Sequence, residues 1–254
     1  MYHTIRIFEL EFISATHHLE VIDDVMNYRN NPNYTSKLPF VITANADQLV
    51  KLDKLPELKD KLSQSMFIFP DGHPIIWCSR LVRKPLQSRL TGSDLFPILW
   101  QKAKENQQKI LIIVSRTEIG EKLQADNAYV SYYTPPFFEI NSTSFKDVST
   151  DIVNIIKDFK PEFVIIGLGF PKQEWLGLSI YQTLQNQSVP APLFLFLGAS
   201  AEFYVGMKKR APIFFQKIGM EWLHRFSQEP KRLWRRYILG IIPLLKLCIK
   251  EIKK

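Results

Sequence analysis

Phe163-Val164-Ile165-Ile166-Gly167-Leu168-Gly169-Phe170-Pro171-Lys172-Gln173-Glu174-Trp175 decides how this chain is read. Its first four residues are apolar without alternation, as in a strand covered on both faces of a parallel sheet. Two glycines follow, where the backbone can turn tightly or approach a ligand closely. Lys172 then opens a segment with Trp175 on it, so the whole reads as strand, turn and helix. The turn is neither of the common phosphate loops. It lacks the Gly-Lys-Ser/Thr ending of a Walker loop, and Lys172 stands where Gly-x-Gly-x-x-Gly needs its third glycine.

Working outward, similar runs recur at Phe40–Thr43, Met66–Phe69, Ile110–Val114 and Leu193–Gly198. Helix-like stretches separate them, among them Ala46–Leu55 and Asp94–Glu105, the latter with Ser93 or Asp94 as its cap. This alternation predicts an α/β Rossmann-like fold, a mostly parallel sheet flanked by helices. Residues 1–39 give no clear pattern, and Asn27–Lys37 reads as a loop. In such sheets ligands bind outside the carboxyl ends of the strands. Thr43 and Asn45, Asp71, and Gly167 to Gln173 all fall at such ends.

The net charge of +8 is unevenly spread. From Gly206 onward 13 Lys or Arg face three Glu, a surplus of +10, which leaves −2 for the first 205 residues. The division expected is an α/β core over 1–205 and a basic helical appendage over 206–254. Such an appendage seeks an anionic partner: a lipid surface, a diphosphate or nucleic acid. Within it Tyr237–Ile249 is apolar but broken by Gly240, Pro243 and Lys246, and far short of the ~18 apolar residues that span a bilayer. Flanked by Arg235, Arg236, Lys250, Lys253 and Lys254, it suits either a segment lying in the membrane interface or a helix packed on the core. The amino terminus has Arg6, Glu9 and Glu11 and no continuous apolar core, so no secretion signal is expected. Two cysteines, Cys78 and Cys248, make neither a disulfide framework nor a metal set, and a reducing compartment is expected.

Several residues have chemistry suited to a site, each with a plainer alternative. Asp71, before Gly72, is either a turn aspartate or a carboxylate placed to take a proton. Thr43 and Asn45 can bind sugar hydroxyls, and Asn45 can equally cap a helix. Arg89 can neutralise a diphosphate or be a surface charge. Gln173 can read a base or a sugar amide, and Glu174 can form a salt bridge. No Asp-x-Asp occurs, and the five histidines show no ligand spacing. A metal is therefore not expected, and cationic side chains must neutralise any diphosphate. Arg225, Arg232 and Arg235 are the candidates, with Pro230 interrupting their helix.

Taken together, Thr43-Ala44-Asn45, Asp71-Gly72, Arg89-Leu90-Thr91-Gly92-Ser93-Asp94, the Gly167–Trp175 motif, Arg210-Ala211-Pro212 and Glu221–Arg225 resemble the bacterial WecG/TagA/CpsF glycosyltransferases. Their order matches over roughly residues 40–236. The resemblance implies inverting transfer of a sugar from a UDP-sugar donor to a polyprenyl-diphosphate-linked sugar acceptor. It places the enzyme peripherally at the cytoplasmic face of the inner membrane. It names N-acetylmannosamine, its uronic acid or another hexose as the sugar, and no cofactor. It assigns Asp71 as the base with Thr43 and Arg89 beside it. It gives substrate binding to Asn45, Gly169, Gln173 and the appendage arginines Arg225, Arg232 and Arg235, which close over the site. Ser115 stands where members carry glycine, and Gly198–Phe203 lacks the usual aspartate, so the donor pocket departs from the pattern. The alternative is a non-catalytic basic α/β protein that binds nucleic acid through its tail. That reading predicts aromatics interleaved with charge, and the apolar run 237–249 argues against it. An epimerase on the same sheet would need no such tail. The sequence leaves an oligomer open.

Overall fold

The computed structural model describes residues 2–32, 35–209, 211–212, 215 and 240–253. Eight strands form one mostly parallel sheet in the order β1-β2-β4-β3-β8-β7-β5-β6. The five apolar runs are its central strands: β3 (Leu38–Asn45), β4 (Ser65–Asp71), β5 (Ile110–Ile113), β7 (Phe163–Ile166) and β8 (Leu193–Phe196). Helices flank them, as the Rossmann-like reading requires. The chain divides into two compact units, one of residues 1–21, 43–91 and 209–254, the other of 22–42 and 92–208.

The first unit contains an element that the sequence reading left unassigned. β1 (His3–Ile7) and β2 (Leu10–Ser14) form an antiparallel hairpin, and β2 pairs in parallel with β4 through Phe12 and Ile68. The turn is Phe8-Glu9, with φ of 55° and 69°. That is the left-handed region a tight two-residue turn demands, here without the usual Gly or Asn. Burial of Phe8, 4% exposed, offsets the strain. The helix expected over Ala46–Leu55 ends sooner. α2 spans Ala46–Leu52, and α3 restarts at Pro56 and runs to Ser63, with proline at its first position. α4 (His73–Leu81) follows β4 after Gly72.

The second unit opens with α1 (Ile22–Met26), after which Tyr28–Asn30 makes a 3₁₀ turn inside the stretch read as loop. α5 begins at Gly92 and ends at Glu105, so Ser93 and Asp94 lie in its first turn and are not its cap. α6 (Thr117–Asp126) and β6 (Val130–Tyr133) lie beyond β5. α7 (Thr143–Phe159), α8 (Lys172–Asn186) and α9 (Ser200–Tyr204) complete the unit. Strands β5, β7 and β8 are buried at every position. Phe40 packs edge-on against Phe194 and Phe196, centroids 5.6 and 5.1 Å apart. Helix α8 lies close on this sheet because residue 177 is glycine: a Cβ there would stand 2.4 Å from the Phe196 ring.

The last described element, α10 (Ile241–Ile252), belongs to the first unit. It packs on α2 and α4. Leu247, Cys248 and Glu251 are buried there, and Lys84 Nζ meets Glu251 Oε1 at 2.7 Å. No helix of the described residues is long and apolar enough to cross a membrane.

Candidate functional site

The named residues fall in two groups at strand ends, one in each unit. In the first, Thr43 is buried near the end of β3 and Asn45 closes the strand. Asn45 forms a full capping box with α2. Its Oδ1 accepts from the Gln48 N–H at 3.1 Å, and its own N–H donates to Gln48 Oε1 at 2.8 Å. One face of that amide is therefore committed to the helix. Asp71 is the last residue of β4 and is half-buried, and Gly72, at φ 98°, turns the chain into α4. Only glycine takes that angle without strain.

Arg89 reaches the same place by a route with no regular structure. The Leu90 N–H donates to the carbonyl of Pro70 at 2.7 Å. Asp71 and Arg89 are thus each one residue from a shared backbone hydrogen bond. Three serines pin the approach. Ser79 Oγ accepts from the Leu86 N–H, Ser14 Oγ accepts from the Gln87 N–H, and Ser88 Oγ lies on the carbonyls of Ala15 and Thr16. None of these serines drew attention in the sequence, because a hydroxyl that satisfies backbone groups has no periodicity to betray it.

In the second unit the glycine motif is organised by Gln173. Its Oε1 accepts from the N–H groups of Gly169 and Gly198, both at 3.2 Å, and so ties the turn after β7 to the turn after β8. Its Nε2 donates to Glu174 Oε1 at 2.9 Å. At 1% exposure Gln173 holds the two turns in register. Gly169 has φ 81° with nothing within 4 Å of where a Cβ would be, whereas a Cβ at Gly167 would stand 3.0 Å from the Gly198 carbonyl. Lys172 donates to the Phe138 carbonyl at 2.6 Å and lies over the Phe137 ring. Nearby, Ser115 Oγ donates to Glu202 Oε1 at 3.1 Å, and Lys208 pairs with the same carboxylate.

Glu174 is 1% exposed, and its Oε2 has no hydrogen-bond partner. Burial pushes its pKa up from 4.5 to about 7, against the smaller opposing pull of the Gln173 amide. The folded protein therefore favours the protonated acid, and this preference is fully present below pH 4.5 and is lost as pH rises through 7. Glu174→Gln, which mimics the neutral form, should gain on the wild type over that window, by up to about 3 kcal/mol above pH 7. Denaturant melts of both proteins from pH 4.5 to 8 check this. A gap that does not grow with pH contradicts it.

Arg225, Arg232 and Arg235 lie outside the described residues, as does Arg210. Among the described residues no group of three or more His, Cys, Asp or Glu is placed to hold a metal ion.

α10 divides its apolar residues between two faces. Leu247 and Cys248 turn inward, whereas Ile241, Leu245, Ile249 and Ile252, at spacings of four, four and three, are 52%, 47%, 52% and 55% exposed. Lys246, Lys250 and Lys253 are exposed and form a third stripe. The run is thus a packed helix that still presents an apolar edge beside cations.

The comparisons agree with one another. The model of the WecG/TagA/CpsF glycosyl transferase family matches residues 5–254. The N-acetylglucosaminyldiphosphoundecaprenol N-acetyl-beta-D-mannosaminyltransferase of Staphylococcus aureus strain MRSA252 is 29% identical over 93% of this chain and 88% of its own length. The proteins of that name from strains MW2 and NCTC 8325 match with the same identity and coverage. With the family matched over nearly the whole chain, and with a mostly parallel α/β sheet flanked by helices, this chain belongs to the WecG/TagA/CpsF family of glycosyltransferases.

Proposed function

We propose that the enzyme transfers N-acetylmannosamine or a related hexose from its UDP derivative to N-acetylglucosamine carried on a polyprenyl diphosphate, with inversion. The observation that carries the reading is the pairing of strand end and loop at Asp71 and Arg89, fixed by the Leu90–Pro70 hydrogen bond. The activity for which the Staphylococcus aureus relatives are named supports the acceptor and the sugar. In the reaction the acceptor hydroxyl oxygen attacks the anomeric carbon and its proton passes to the Asp71 carboxylate. The bond from that carbon to the UDP β-phosphate oxygen breaks, and its electron pair leaves with the diphosphate. One face of the sugar is attacked as the other is vacated, so the anomeric configuration inverts.

Cationic side chains take the charge of the leaving diphosphate. Arg89 acts from the core, and Arg225, Arg232 and Arg235 act from the appendage, whose +10 surplus supports the role. Thr43 and Asn45 line the same strand end as Asp71 and contact sugar. Gly169 leaves room for the donor, and Gln173 keeps its turn in shape. The exposed edge of α10, apolar and bordered by lysines, favours an anionic lipid surface over nucleic acid and holds the enzyme at the cytoplasmic leaflet where its acceptor lies.

Because arginines serve in place of a divalent ion, transfer to a short-chain lipid-diphosphate acceptor should continue in EDTA at an unchanged rate. Product formation followed by mass spectrometry tests this. Loss of product in EDTA with recovery on adding Mn²⁺ or Mg²⁺ would contradict it.

A further inference from the structure

We infer that the membrane-contacting surface has two helices, and that α4 of the catalytic core is the second, inserting Trp77 and Leu81 into the headgroup layer of an anionic bilayer beside α10. This rests on the lipid-linked acceptor proposed above. Three observations carry it. Trp77 and Leu81 are one helical turn apart on α4 and are 52% and 53% exposed, although the neighbouring Ile75, Ile76, Cys78 and Ser79 are buried. Two large apolar residues held in water by a well-packed helix call for a partner.

The second observation is contact. Cys78 of α4 and Cys248 of α10 are both buried, and the two helices pack against each other. Each is the immediate neighbour of an exposed apolar residue, Trp77 on one helix and Ile249 on the other. The packing of the two helices puts the α4 pair and the α10 stripe on adjoining elements. Lys84, just past α4, binds Glu251 of α10 at 2.7 Å and fixes the two helices further.

The third is charge and chemistry. Arg80 and Arg83 are exposed at the end of α4, as Lys246, Lys250 and Lys253 are on α10, so cations border the apolar surface on both helices. That arrangement matches anionic lipid, in which apolar side chains enter the acyl boundary and Lys or Arg meet phosphate. Tryptophan is a residue of that boundary, amphipathic and settled at headgroup depth. Gly72 alone separates Asp71 from α4, and from His73 to Trp77 the helix rises ~6 Å. A bilayer that grips Trp77 sets the height of Asp71 above the lipid phosphates, where a diphosphate-linked sugar presents its hydroxyl.

The test uses the full chain with phosphatidylglycerol/phosphatidylcholine vesicles and with phosphatidylcholine alone. The wild type should float with the anionic vesicles. The double variant Trp77→Ser/Leu81→Ser should bind them roughly tenfold or more weakly, with its melting temperature and its turnover of a short-chain acceptor kept. Emission lost in Trp77→Phe gives the Trp77 signal, which a shallow doxyl lipid should quench. If the double variant binds as well as the wild type and Trp77 is not quenched, α4 does not touch the bilayer. Loss of binding in Leu245→Ser/Ile249→Ser alone would then leave contact to α10. If the wild type floats with neither vesicle, membrane contact fails for both helices, and turnover of the short-chain acceptor in the same preparation shows separately whether the proposed transfer stands. If the double variant instead abolishes a concentration-dependent dimer and leaves flotation unchanged, the surface joins two copies of the chain and the inference is overturned.

Discussion

Replacing Asp71 with Asn should slow sugar transfer ~10²–10⁴-fold, the usual contribution of a positioned general base. The amide keeps the size and one acceptor oxygen of the carboxylate but takes up no proton. Asp71 closes β4, and its backbone is set by the strand before it and by Gly72 after it, so the fold should persist. Turnover should fall while donor binding, read by isothermal titration with UDP, stays near the wild-type value. A rate within a few-fold of wild type would return Asp71 to the status of a turn residue, the alternative its Asp-Gly context always allowed.

Arg89→Ala should be the next most damaging change, at ~10²–10³-fold in kcat/KM, the cost of losing one donor aimed at developing negative charge. Arg89→Lys should fall between wild type and Arg89→Ala, because lysine keeps the charge but not the bidentate fork that matches a phosphate. The segment carrying Arg89 is held by Ser14, Ser79 and Ser88 and by the Leu90 N–H. Truncating the side chain should therefore leave the loop in place, and melting temperatures of the three proteins should agree. If Arg89→Ala keeps full kcat/KM, the diphosphate is neutralised elsewhere.

The centre of the sheet was legible because burial on both faces writes itself as uninterrupted apolar runs, and Phe163–Ile166 and Leu193–Phe196 could hardly be anything else. Strands at the margins were not. The β1–β2 hairpin turns through Phe8-Glu9, with neither Gly nor Asn to mark it, and tertiary burial of Phe8 substitutes for the usual turn chemistry. β6, Val130–Tyr133, has only one fully buried position and reads as polar.

At the candidate site, strand-end positions followed from fold logic alone. What each side chain does there did not. Gln173 has donors and an acceptor that suit a ligand and suit two backbone turns equally well, and in the fold they are spent on Gly169, Gly198 and Glu174. Asn45 was open between sugar contact and capping, and the capping box is present. The exposure of Trp77 and Leu81 was not legible either, because the run Pro74-Ile75-Ile76-Trp77-Cys78 is apolar with no polar face to orient a helix.

The most direct measurement is mass spectrometry of the wild type and Asp71→Asn incubated with a panel of UDP-sugars and a short-chain lipid-diphosphate N-acetylglucosamine, with the product's anomeric configuration read by proton NMR. The proposed chemistry predicts that the acceptor gains one sugar, that one UDP is released per sugar transferred, that the anomeric configuration is inverted relative to the donor, and that product collapses in Asp71→Asn. UDP-sugar isomerised or consumed with the acceptor unchanged, or a product that retains the donor's configuration, would contradict it.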